Sequence, residues 1–147
     1  MRNSSIAFVT LVVVALSFST LAADDKAEAA KYQGVWRFDS VVNGGKNKAK
    51  ESSEKMTIKF DEDRFTMRKG TAFAGGGTWK LDTGKKPLEI ALVYTEGDYV
   101  GTSLTCIYRW NDEDLVICQG DPRPTKFESD SKNKNFLFRF SKIKKRP

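Results

Sequence analysis

The sequence predicts an all-β domain, an antiparallel up-and-down barrel of about eight strands preceded by a signal peptide and a short helix. Apolar residues recur with a period of two in about eight short runs between Trp36 and Phe140. Between successive runs lie clusters rich in Gly, Asn and Asp, the residues of tight turns. Behind the leader remain about 124 residues, enough for one domain with a real core.

The chain opens with Arg2, an almost unbroken apolar run from Ile6 to Leu16, and small residues from Ser17 to Ala23, ending just before Asp24 and Asp25. That is the layout of a secretory signal, with cleavage after Ala22 or Ala23. The apolar run falls short of the roughly 20 residues that cross a bilayer, so an anchor helix is the weaker reading. No Cys stands at the cleavage point to carry a lipid anchor. The expected divisions are residues 1–23 as signal peptide, 24–31 as a short N-terminal segment and 32–147 as the barrel. The expected destination is the periplasm or the exterior, with no transmembrane segment after cleavage.

Asp25 to Tyr32 combines an acidic start with good helix formers and predicts a short helix. The period then becomes two. Trp36, Phe38, Ser40 and Val42 alternate with Arg37, Asp39 and Val41; Met56, Ile58 and Phe60 alternate with Thr57 and Lys59; Phe65 and Met67 alternate with Thr66 and Arg68. Further strands follow at Trp79 and Leu81, at Leu88 to Tyr94, at Leu104 to Trp110, at Leu115 and Ile117, and at Phe136 to Phe140. Turn signals stand at Asn43-Gly44-Gly45, Asp61-Glu62-Asp63, Asp82-Thr83-Gly84, Glu96-Gly97-Asp98 and Asn111 to Asp114. Gly120 to Asn135, with Pro122 and Pro124, reads as a long loop before the last strand. Short connections favour a meander, and closing it removes exposed edges; an open sandwich is the competing architecture.

The chain contains no His, which excludes Ser-His-Asp and Cys-His nucleophiles, His general bases and His-ligated metals. Asp61-Glu62-Asp63 and Asp112-Glu113-Asp114 lack the alternating ligands and central Gly of a calcium loop, so they read as solvated turns and no metal site is assigned. Glu89 and Glu96 are the only strand-borne acids suited to glycoside hydrolysis, and nothing singles them out. Gly75-Gly76-Gly77 leads into Thr78-Trp79-Lys80, a strand and not a phosphate-binding helix, so a bulge or barrel corner is expected there. No catalytic residue or cofactor is assigned.

Cys106 and Cys118 flank the Asn111–Asp114 turn, and an exported chain permits a disulfide. A two- or four-residue loop would put them on opposite sheet faces. A three-residue loop centred on Asp112 would set them opposite each other, within bridging reach.

The net charge of +6, with Lys142, Lys144, Lys145 and Arg146 clustered at the end, favours solubility or an anionic partner. Nucleic acid is disfavoured: Lys59, Arg64, Arg68 and Lys80 alternate with the aromatics, whereas a stacking platform needs both on one face. The aromatics either fill the barrel or line a pocket. The residues chosen as ligand-binding are Trp36, Phe38, Trp79, Tyr94, Tyr108 and Phe138.

Gly34-x-Trp36, Asn43-Gly44, Gly77-Thr78-Trp79-Lys80-Leu81-Asp82, Lys86-Pro87, Ile107-Tyr108, Leu115-x-Ile117-Cys118 and Arg123-Pro124-x-x-Phe127 occur in that order. From about Tyr32 to Lys142 the chain resembles an uncharacterised secreted domain family common in planctomycete bacteria, itself similar to lipocalins. The resemblance implies a lipocalin-like barrel, with Gly34-x-Trp36 as its opening motif and Arg139 as the candidate to pack on Trp36. Ala91 stands where that family commonly has Asp, and Cys106 where it has Gly, so no role of that Asp carries over. The expected function is non-enzymatic binding of a small apolar or amphipathic molecule. The alternative is a cell-envelope structural or interaction module with a filled barrel and a basic rim.

Overall fold

The computed structural model describes residues 19–48 and 55–145, with side chains from Asp24 onward. The signal-peptide reading rests mainly on residues 1–18, which lie outside the described residues. Helix α1 (Ser19–Tyr32) passes through the expected cleavage positions Ala22 and Ala23 and ends where the helix-forming stretch ends. No helix among the described residues is long and apolar enough to cross a membrane.

Nine strands follow among the described residues: β1 (Gly34–Asn43), β2 (Lys46–Asn47), β3 (Met56–Asp61), β4 (Arg64–Lys69), β5 (Ala72–Asp82), β6 (Leu88–Gly97), β7 (Ser103–Asn111), β8 (Asp114–Gln119) and β9 (Phe136–Lys142). Every neighbouring pair is antiparallel, and β1 also pairs with β9, which closes β1 and β3–β9 into an eight-stranded, lipocalin-like barrel. The two-residue β2 is an extra strand on the end of β1. Closure leaves no long free edge, which is why eight half-apolar strands settle here rather than as an open sandwich.

Three register shifts interrupt the wall, one of them in the β4–β5 pairing between Met67 and Arg68, and the other two shape the interior. In β1 the register with β9 shifts between Phe38 and Ser40. The extra residue reverses the side-chain phase, so Val41 faces inward opposite Phe138 in place of the expected Ser40 and Val42. In β5 the register with β6 shifts between Gly76 and Gly77, at the glycine run where a bulge is expected. A Cβ on Gly77 would lie 1.8 Å from the Val93 carbonyl oxygen, so only glycine permits this approach. Two residues earlier, the Tyr94 ring lies against Gly75.

The barrel has a closed and an open end. At the closed end, where β1 starts and β9 finishes, Tyr32 drops from the last turn of α1 into the barrel and is fully buried. Its ring lies 5.0–5.4 Å from those of Trp79, Phe60, Trp110 and Tyr108. The helix is held by hydrogen bonds: Asp25 accepts from the Thr83 amide and hydroxyl at 2.9 and 2.6 Å, and Trp36 Nε1 donates to the Tyr32 carbonyl at 2.7 Å. Glu28 accepts from Trp110 Nε1 at 2.5 Å and from the Tyr108 hydroxyl at 3.4 Å.

The position over Trp36 assigned to Arg139 is taken by Lys142, whose Nζ sits 5.3 Å from the ring. Arg139 faces outward and is paired with Asp114 at 2.5 Å. The reason is strand phase: Phe138 and Phe140 hold the inward positions of β9, which turns Arg139 out.

The irregular 120–135 segment crosses the outer face of β7 and β8. The Cys118 thiol donates to the Glu128 carbonyl at 3.8 Å, and the Arg109 guanidinium stacks 4.6 Å over Phe127. Ile107, Val116 and Cys118 are thereby buried although they point away from the barrel interior.

Candidate functional site

Between the aromatic layer at the closed end and the open mouth lies a cavity of about 540 Å³. That volume falls within the roughly 300–1,000 Å³ range of small-molecule sites. Seven of the eight barrel strands contribute from their inward phase, β5 being the exception. β1 and β9 supply Phe38, Val41, Phe138 and Phe140; β3 and β4 supply Ile58 and Met67; β6 to β8 supply Leu92, Tyr94, Leu104, Cys106 and Ile117.

The walls are apolar and uncharged. Burial pushes the Tyr94 phenol up to about 12 and the Cys106 thiol up to about 12, so both stay protonated at any physiological pH. The Tyr94 hydroxyl donates to the Met67 sulfur at 2.8 Å. Polar groups gather at the open end, where Lys48, Tyr99, Thr102 and Gln119 line the mouth. Tyr99 lies 5.4 Å from the Tyr94 ring, and Phe136 stacks on Phe138 at 5.9 Å.

Of the six aromatics chosen from the sequence, Phe38, Tyr94 and Phe138 line this cavity. Trp36, Trp79 and Tyr108 belong to the packed layer beneath it, around Tyr32 and Trp110. Period-two reasoning gives the face on which a side chain lies but not its height along the barrel, and height separates the two groups here. The cavity also uses Val41, Met56, Ile58, Met67, Leu92, Leu104 and Ile117. All but Val41 carry the same alternation signal as the aromatics, so the apolar phase as a whole would have found them.

The disulfide is excluded by register. Asn111 pairs with Asp114, leaving the two-residue loop Asp112-Glu113, with Asp112 at φ 54°. Cys106 therefore pairs with Gln119 and Cys118 with Ile107. The thiols sit on opposite faces of the sheet, Cys106 in the cavity wall and Cys118 under the 120–135 segment, and both are free.

No protein-family model matches this chain, and no curated protein matches its sequence.

Proposed function

We propose that this chain is an exported, non-enzymatic carrier that holds one small apolar or amphipathic molecule in its barrel, with the molecule's polar end at the mouth. The observation that carries this reading is the 540 Å³ apolar cavity, closed at the bottom by α1 and ringed by polar groups only at its open end. A filled barrel, the architecture of a purely structural module, would leave no such space. The absence of His, and thiols held protonated by burial, support binding over catalysis. The secreted family of planctomycete bacteria remains the placement we favour, on the motifs from Gly34-x-Trp36 to Phe127.

A buried methylene contributes about 0.8 kcal/mol. A ligand burying about ten therefore gains ~8 kcal/mol, and since association costs offset part of that, the dissociation constant should be no tighter than about 1 μM. Native mass spectrometry of the protein recovered from its own host tests the reading. One small-molecule adduct per chain, lost on denaturation, is the expected outcome; a bare chain under conditions that keep the fold overturns it.

A further inference from the structure

Among the described residues six large hydrophobic side chains are exposed, and four of them, Phe73, Tyr99, Val100 and Phe136, stand at the open end of the barrel. Phe73 lies near the start of β5 and Val100 in the β6–β7 turn. The Asp98 amide donates to the Ala74 carbonyl, which brings these two segments together. Val100 is the most exposed of the six, at 64%. A rim of apolar side chains around the mouth of an apolar cavity is a costly surface to leave in water.

The same end carries an arc of cations. Lys46 and Lys48 lie at and just after β2, Lys55 precedes β3, and Arg68 and Lys69 end β4. The Gly70 amide donates to the Lys55 carbonyl at 2.6 Å, which places Lys55 beside the β4–β5 turn and Lys69. None of these five cations forms an ion pair with a described residue. In sequence, the stretch between Lys48 and Lys55 adds Lys50, Glu51 and Glu54, which leaves the arc basic. Three carboxylates stand among these groups at the open end: Glu96 is held by Arg64 at 2.8 Å, Asp130 lies beside Gly45 with its carboxylate accepting from the Lys132 and Asn133 amides, and Asp98 stands in the β6–β7 turn, so the five cations leave the open end net basic. At the closed end the basic terminus is partly neutralised, with Lys144 paired to Glu113 at 3.0 Å and Lys31 to Glu28 at 2.7 Å.

Exposed aromatic and aliphatic side chains beside unpaired lysines are the chemistry of an anionic lipid surface, where the apolar groups enter the headgroup region and the cations meet phosphates. We propose that the open end of this barrel docks, mouth downward, on a bilayer containing anionic lipid. Docking in this pose places the cavity entrance against the membrane, so an apolar molecule passes between bilayer and barrel without crossing water. The surface proposal goes beyond the cavity reading and is separable from it, because Phe73, Val100, Lys46, Lys55 and Lys69 do not line the cavity.

The test is co-sedimentation with vesicles, using the protein expressed with its own N-terminal segment and recovered as the cell processes it. Vesicles of phosphatidylcholine with about 30% phosphatidylglycerol are compared with phosphatidylcholine alone, in low and high salt. At about 1 kcal/mol per cation near such a surface, or a factor of about five, K46Q/K55Q/K69Q should weaken binding about a hundredfold. High salt should weaken it similarly. F73S/V100S should lose about tenfold or more, while K144Q/K145Q changes binding less than about threefold. Unchanged thermal unfolding confirms that each variant is folded. Wild-type protein that ignores anionic vesicles, rim variants that bind as wild type, or loss confined to K144Q/K145Q would each overturn the proposal. So would sedimentation equilibrium showing that F73S/V100S breaks a dimer of this chain while vesicle binding is absent. Retention of a cavity ligand by the rim variants keeps the two readings independent.

Discussion

Tyr32 is the residue on which the closed end depends, and two substitutions separate its ring from its hydroxyl. The ring is fully buried against four aromatic neighbours, so Tyr32→Ala removes the plug between α1 and the barrel. Large aromatic-to-Ala changes in a packed core cost about 3–5 kcal/mol. With a urea slope of about 2 kcal/mol per molar for a domain of this size, the unfolding midpoint should fall by about 1.5–2.5 M. The hydroxyl is buried and has no hydrogen-bond partner among the described residues. Burial, reinforced by Tyr108 and Glu28, pushes its pKa well above the ordinary tyrosine value. Tyr32→Phe therefore discards a desolvated polar group and keeps the packing, and it should leave stability unchanged or raise it by up to about 1 kcal/mol, ~0.5 M in midpoint. Urea titrations followed by tryptophan fluorescence measure both. A loss above about 1.5 kcal/mol for Tyr32→Phe, or below about 1 kcal/mol for Tyr32→Ala, would refute the packing argument.

Two further outcomes follow from the same geometry. The native protein should react negligibly with an alkylating thiol reagent at neutral pH and take up two equivalents once unfolded without reductant, since burial raises both thiols and register keeps them apart; an intact mass two hydrogens lighter than the dithiol would contradict that register. At Glu28 burial raises the pKa, but hydrogen bonds from Lys31 and Trp110 outweigh it and hold the carboxyl below its ordinary 4.5. A carboxyl depressed in the folded state contributes stability that is present above its unfolded pKa and lost as pH falls through the folded one. Wild-type stability should therefore drop more steeply than that of Glu28→Gln on acidification below about pH 5, and parallel curves would count against the contact.

The strand runs were legible because each half-buried strand writes its inward face into the sequence with period two, as in Met56, Ile58 and Phe60. The turn chemistry was legible too, down to the Gly75–Gly77 bulge. Hidden features depended on single-residue events. The extra residue in β1 brings Val41 inward, and the two-residue β7–β8 loop Asp112-Glu113, in place of a three-residue loop centred on Asp112, decides the fate of both cysteines. Lys142 rather than Arg139 covers Trp36 because Phe138 and Phe140 fix the phase of β9. The cavity itself was the least legible feature. Trp36 and Phe38 look alike in sequence, yet one sits in the packed floor and the other in the wall, two residues further from α1 along the same strand.

A carrier function for this barrel requires that the cavity hold a molecule. Leu104 lines it near the start of β7, so Leu104→Trp fills part of the space from the wall while leaving α1 and the aromatic floor intact. Native and denaturing mass spectra of wild type and Leu104→Trp, both recovered from the producing host and both shown to unfold cooperatively, give the comparison. A ligand-holding cavity predicts one small-molecule adduct on the native wild type, absent on denaturation and absent or strongly depleted in Leu104→Trp. A bare wild-type chain, or an adduct retained equally by Leu104→Trp, would contradict it.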